Sequence, residues 1–175
     1  MKRDERVNFE NTSFFGMLKI VRLGTLTYKN FGFYFGLVIA FIFLFITEDF
    51  NEKELIDLAE YITGVIPSVA AALLGIIIAG LAIIVALSTE DIYNKLLKNR
   101  TLQKLLFPFW YVAALWAITT FSVISLGLIQ KFLEVHIIYY LIVFIIFILN
   151  YALVSTIKLI GNTIRIMVYL AQLKK

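Results

Sequence analysis

The sequence predicts an all-α fold: an integral membrane bundle of four transmembrane helices, both termini cytoplasmic, with short interfacial amphipathic helices at its edges. Three observations carry this. Of the 175 residues, 61% are hydrophobic and 16% charged, against about 45 to 50% and about 25% in an ordinary soluble domain. Four stretches without Asp, Glu, Lys or Arg, at 31–46, 65–87, 107–129 and 135–157, take up 85 residues; a helix needs about 20 apolar residues to cross a hydrocarbon core of about 30 Å. Fourteen of the 16 basic residues lie before the first stretch, between the second and third, or after the fourth. Under the positive-inside rule these segments are cytoplasmic, and the alternation works for four spans where three or five would break it.

Residues 1–30 read as a cytoplasmic segment without a cleavable apolar core, so no signal peptide is expected. Within it, Phe14, Met17, Leu18 and Val21 share one helical face, Lys19 and Arg22 point elsewhere, and Ser13 is a candidate cap. That pattern suits a short helix on the inner leaflet. The first apolar stretch is short, so its helix is expected to begin near Tyr28, with Lys29 reaching back to the headgroups.

The next loop holds Glu48, Asp49, Glu52, Glu54, Asp57 and Glu60 against Lys53 alone. Asp49 and Glu52 stand at capping-box spacing, Leu55, Leu58, Ala59 and Ile62 line one face, and Gly64 is placed to stop the helix. An outer amphipathic helix follows. Its acids Glu52, Glu54, Asp57 and Glu60 are either a solvated face or, in an oligomer, a ring that gathers cations at a pore mouth.

Span two carries a ridge of small residues, Ser68, Ala72, Gly75, Ala79, Ala82 and Ala86. Lipid gives apolar side chains no reason to associate, so close helix contact is made where small residues let backbones approach. The ridge is expected to pack against another helix, and a sharper reading makes it the wall of an apolar pore. Span one repeats the device with Gly32, Gly36 and Ala40. Pro67 and Pro108 are read as first-turn residues of their spans, where a missing amide has no partner, and all four helices are expected to be unbroken.

The inner loop begins with Ser88 and Asp91 at capping-box spacing and mixes leucines with Lys95, Lys98, Arg100 and Lys104, which suits anionic headgroups or an acidic partner surface. Phe107, Phe109, Trp110 and Tyr111 mark the inner interface, Tyr139 and Tyr140 the outer one. Inside the spans, Thr119, Thr120, Ser122, Ser125 and Asn150 are expected to seek partners on adjacent helices. Asn150 is either structural glue or part of a permeation path. His136, beside Glu134, reads as a wetted interfacial residue.

Residues 31–157 thus form the transmembrane domain, and 158–175 extend span four on the cytoplasmic side. In that extension Lys158, Asn162, Arg165, Tyr169 and Gln172 make one polar stripe, while Ile160, Ile164, Met167 and Ala171 occupy another face. The stripe is the largest candidate surface for docking a partner.

Function classes narrow by what is missing. The absence of cysteine excludes disulfide exchange and thiolate metal sites. One histidine is too few for a bis-histidine haem or a zinc enzyme. The spans hold no carboxylate for proton-coupled export, and the acids form no metal-binding cluster at an interface. No enzyme and no cofactor are expected. A net charge of +4 on so apolar a chain marks topology, and no direct nucleic-acid partner is expected. The partners are the lipid bilayer, other copies of the chain and a cytosolic protein. Two functions remain, an oligomer that perturbs or gates the permeability of the inner membrane, and an anchor that recruits a cytosolic partner through its cytoplasmic helices.

In span count, cytoplasmic termini and lack of a catalytic domain, with the ridge from Ser68 to Ala86 as its most distinctive stretch, the chain resembles small membrane subunits of bacterial anti-phage defence operons, such as the four-helix membrane protein of Kiwa-type systems. The resemblance implies a membrane effector of a defence system.

Overall fold

A computed structural model describes residues 30–47, 50–87 and 101–172, with 87, 101–104 and 169–172 as backbone. Among them are four α-helices, α1 (Phe31–Ile46), α2 (Glu52–Leu87), α3 (Thr101–Ile129) and α4 (Val135–Gln172), and one 3-10 turn, Gln130–Phe132. The last three helices are long and apolar enough to cross a membrane, while α1 is a shorter apolar helix.

Each boundary has a local cause. Asn30 is extended, and its side chain accepts the Gly32 amide at 3.2 Å. That cap fixes the start of α1 at Phe31, not near Tyr28 as its length suggested. The box that opens α2 is Asn51 with Glu54, not Asp49 with Glu52. The Glu54 amide donates to Asn51 Oδ1 at 3.0 Å, and the Asn51 amide donates to Glu54 Oε2 at 2.8 Å. Asp49 lies outside the described residues, as do the expected helix around 14–23 and the Ser88 and Asp91 cap.

Gly64 does not stop α2, which runs through it for 36 residues, about 54 Å. The reason is packing. Leu55, Ala59, Ile62 and Ile66 are buried in one continuous row, and Ala59, Ile62 and Ile66 join Val123 and Leu126 of α3 and Ile138, Ile142 and Ile145 of α4 in one cluster. Pro67 and Pro108 are therefore interior residues of α2 and α3, not first-turn ones. All four helices are nonetheless continuous, since neighbouring helices stabilise the turn that loses an amide. The 38 residues of α4 run unbroken to Gln172, about 57 Å.

The helices alternate in direction. Gly32 and Gly36 of α1 meet Val154 and Phe147 of α4 in reverse order, and Thr63 and Gly80 of α2 likewise meet Gly127 and Phe109 of α3 in reverse order. Helix α2 runs parallel to α4, meeting it through Ile62 and Ile142 near one end and Gly80 and Thr163 near the other. Helix α4 touches each of the other three. The axis between α2, α3 and α4 is filled by Trp116, Thr119, Val123, Leu126, Ile138, Ile142 and Ile145, all under 2% or at about 2% exposed.

Candidate functional site

On α2 the buried and small-residue faces are opposed. Ile66, Ala70, Ile77 and Ile84 are buried against α3 and α4. Ser68, Ala72, Ala79 and Ala86 each follow one of these by two positions, which turns them about 200° around the helix. All six ridge residues, with Gly75 and Ala82, are exposed, and a Cβ placed on Gly75 would meet nothing within 4 Å. Among the described residues the expected packing of this ridge is thus not made, because the row on the other side of α2 takes the contacts with α3 and α4. Only 17% of the most apolar stretch of α2 is buried, against 33% in α3 and α4, so α2 is the least covered of these three helices.

The short ridge of α1 behaves in the opposite way. Gly32, Gly36 and Ala40 are buried, and a Cβ on Gly36 would stand 2.9 Å from the Phe147 carbonyl oxygen. Here small residues do bring two backbones together.

Beside the α2 ridge, and sharing Ala79 with it, lies an open groove of about 240 Å³ between α2, α3 and α4, lined by Gly80, Ile83, Phe109, Thr163 and Met167 among others. Its two threonine hydroxyls donate within α4. Thr163 Oγ1 donates to the Leu159 carbonyl at 2.9 Å, and Thr156 Oγ1 to the Ala152 carbonyl at 2.8 Å.

The intramembrane polar residues expected to pair across helices mostly bond to their own. Asn150 Nδ2 donates to the Ile146 carbonyl at 2.8 Å, Thr119 to the Leu115 carbonyl at 2.9 Å and Thr120 to the Trp116 carbonyl at 2.8 Å. A free carbonyl lone pair one turn back is always within reach of such short side chains. Ser122 and Ser125 are half-buried.

Interhelical polar contacts are made instead by Tyr111 and Tyr139, which the sequence assigned to the interfaces, and by residues it did not single out. Trp116 Nε1 donates to Thr156 Oγ1 at 2.9 Å. Asn30 Nδ2 donates to the Tyr151 hydroxyl at 3.3 Å, and that hydroxyl also meets the one on Tyr111. Tyr139 donates to the Leu44 carbonyl at 3.2 Å, with Thr47 Oγ1 3.4 Å from its hydroxyl. Phe107 and Phe109 are buried, and only Trp110 of that aromatic cluster is widely exposed. Rings with a polar tip inside apolar stretches were the signal available.

Glu52, Glu54, Asp57 and Glu60 are all exposed on the first turns of α2, and Glu52 and Glu54 sit in its first turn, where the helix dipole favours them. Of the α4 stripe, Lys158 and Arg165 are exposed and Asn162 half-buried; the side chains of Tyr169 and Gln172 lie outside the described residues. His136 Nδ1 stands 3.3 Å from Glu134 Oε2 with both side chains open to solvent. Among the described residues no three His, Asp or Glu side chains lie together as a metal site.

No protein-family model matches the chain, and neither the curated proteins nor the solved structures compared with it gave a match.

Proposed function

We propose that this chain is a four-span protein of the inner membrane, both termini cytoplasmic, that assembles with copies of itself through the α2 ridge and alters membrane permeability without catalytic chemistry of its own. The observation that carries the reading is the exposure of Ser68, Ala72, Gly75, Ala79, Ala82 and Ala86 on the side of α2 opposite its buried face. An uninterrupted small-residue surface in lipid favours another helix, and among the described residues none covers it. Because Trp116, Leu126 and Ile142 fill the axis of a single chain, a conduit of this design runs between copies. The alternation of helix directions agrees with the clustering of basic residues in alternate loops. The architecture fits a membrane effector of the defence type that the chain resembles in outline.

A second reading, a membrane anchor for a cytosolic protein, is favoured by the run of α4 to Gln172, 15 residues past its apolar stretch, with Lys158 and Arg165 exposed along it. Induced expression with a membrane-potential dye separates the two. Depolarisation by the wild type that disappears in Gly75→Leu at equal expression supports the assembly. Absence of depolarisation, with a cytosolic protein co-purifying and lost on changing Lys158 and Arg165, supports the anchor.

A further inference from the structure

Helix α1 is too short for the membrane it is built to meet. Its 16 residues span about 24 Å, whereas a hydrocarbon core is about 30 Å thick. Its outward face is apolar from end to end, with Phe31, Phe35, Val38, Phe41, Ile42 and Phe45 exposed. Both ends close on polar groups: Asn30 caps the first turn, and Thr47 Oγ1 donates to the Phe43 carbonyl at 2.7 Å at the last. Glu48 and Asp49 follow directly in the sequence, so no apolar flank extends the span.

A short helix in a thick bilayer draws flanking side chains such as Lys29 toward the headgroups, associates, or thins the lipid around it, and sliding toward one leaflet is a further escape. Sliding is blocked, because α1 is tied to α4 at both ends. Asn30 bonds to Tyr151, while the Leu44 carbonyl and Thr47 hydroxyl meet Tyr139. Between these ties Gly36 brings the α1 backbone against the Phe147 carbonyl. Tilting would only shorten the reach of α1 further. On the other sides of the bundle α2 and α4 run for 36 and 38 residues, longer than the same core needs.

We propose that the α1 face thins the bilayer locally and so speeds the passage of lipid headgroups across it, a lipid-scrambling activity seated at α1 and independent of the α2 ridge. The inference rests on the four-span reading, in which α1 crosses the membrane. A thinner apolar slab shortens the path over which a headgroup is out of water, and the penalty for polar groups in hydrocarbon is what normally prevents flipping.

The test uses the full chain in vesicles of dimyristoleoyl, dioleoyl or dierucoyl phosphatidylcholine, in order of increasing thickness. One readout is the rate at which a fluorescent lipid of the inner leaflet becomes reducible by dithionite. The second is the yield of a disulfide between Gly32→Cys and Val154→Cys, positions whose Cβ atoms would lie about 3.2 Å apart in a chain that has no other cysteine. The expected result is lipid exchange several-fold above protein-free vesicles in dioleoyl lipid. Gly75→Leu should leave it unchanged, and Glu48→Leu with Asp49→Leu, which lengthens the apolar run, should lower it at least about threefold. Disulfide yield should fall in dierucoyl lipid as thickness pulls on the ties of α1. Exchange no faster than in empty vesicles, lost in Gly75→Leu, as entry of dithionite through a ridge-assembled conduit would be, or unchanged in the lengthened variant, overturns the proposal. Labelling of Ser13→Cys and Glu52→Cys with an impermeant maleimide judges the four-span reading separately: opposite sides uphold it, and the same side overturns it and this inference together.

Discussion

Gly36→Ala, paired with Gly161→Ala, measures how closely α1 must approach α4. A Cβ on Gly36 would meet the Phe147 carbonyl oxygen at 2.9 Å and its ring at 3.3 Å, whereas one on Gly161 would meet nothing within 4 Å. Ordinary contact begins at 3.4 Å, so α1 has to retreat by about 0.5 Å from a backbone atom that cannot rotate away. Retreat also loosens the packing of Gly32 on Val154, whose Cγ1 lies 3.1 Å from where a Cβ on Gly32 would stand, and the edge-on packing of Phe33 on Phe147, with centroids 5.5 Å apart. Both substitutions replace glycine by alanine inside a helix, so the gain in helix propensity of about 1 kcal/mol is common to both and cancels in the difference. What is left is overpacking, typically about 1 to 3 kcal/mol. Gly36→Ala should therefore be less stable than Gly161→Ala by about 2 kcal/mol, measured by reversible SDS unfolding in mixed micelles. Equal stability of the two variants would refute the close approach and with it the role assigned to the α1 glycines.

Other predictions follow from single contacts. Trp116→Phe removes a buried hydrogen bond to Thr156 and part of a fully buried side chain, and the same unfolding assay should record a loss of about 2 kcal/mol. Asn51→Ala breaks the box with Glu54 and should cost about 1 kcal/mol, seen as faster amide exchange confined to the first turn of α2. Tyr139→Phe deletes the donor to the Leu44 carbonyl and should weaken the outer tie of α1 by about 1 kcal/mol, with a smaller effect if Thr47→Val is already present. Asn150→Leu removes only a bond within α4, so unfolding free energy should change by less than about 1 kcal/mol, and a permeability defect in that variant would assign Asn150 to a permeation path.

Helix number was legible because hydropathy is a strong signal for long apolar helices, three of which are long enough to cross a membrane. The amphipathic face of Leu55, Ala59 and Ile62 was legible too, and these residues are buried. Boundaries were less so. Two overlapping acidic or amide spacings, Asp49 to Glu52 and Asn51 to Glu54, read alike until the chain direction at residue 51 is known. Gly64 looked like a stop because glycine ends helices in water, yet a buried row on both sides of it carries α2 onward. The two small-residue ridges show the limit most clearly. Gly32, Gly36 and Ala40 are buried, and Ser68, Ala72 and Gly75 are exposed, although both sets recur every three or four residues. Which ridge is used within the chain depends on which face of α2 its neighbours occupy, and that is settled by long-range packing with α3 and α4. Polar pairing was misjudged for a related reason, since short hydroxyls reach their own helix first while Trp116, Tyr139 and Tyr151 have the length to cross to another.

Self-association through the ridge of α2 is tested most directly by single cysteines placed along that helix in a chain that otherwise has none. In native membranes under mild oxidation, dimer formation should peak at positions 68, 72, 75, 79, 82 and 86. It should be low at Ile78 and Val85, which are 65% and 63% exposed but lie off the ridge. Cross-linking that is absent throughout, or as strong at Ile78 and Val85 as on the ridge, would contradict the account.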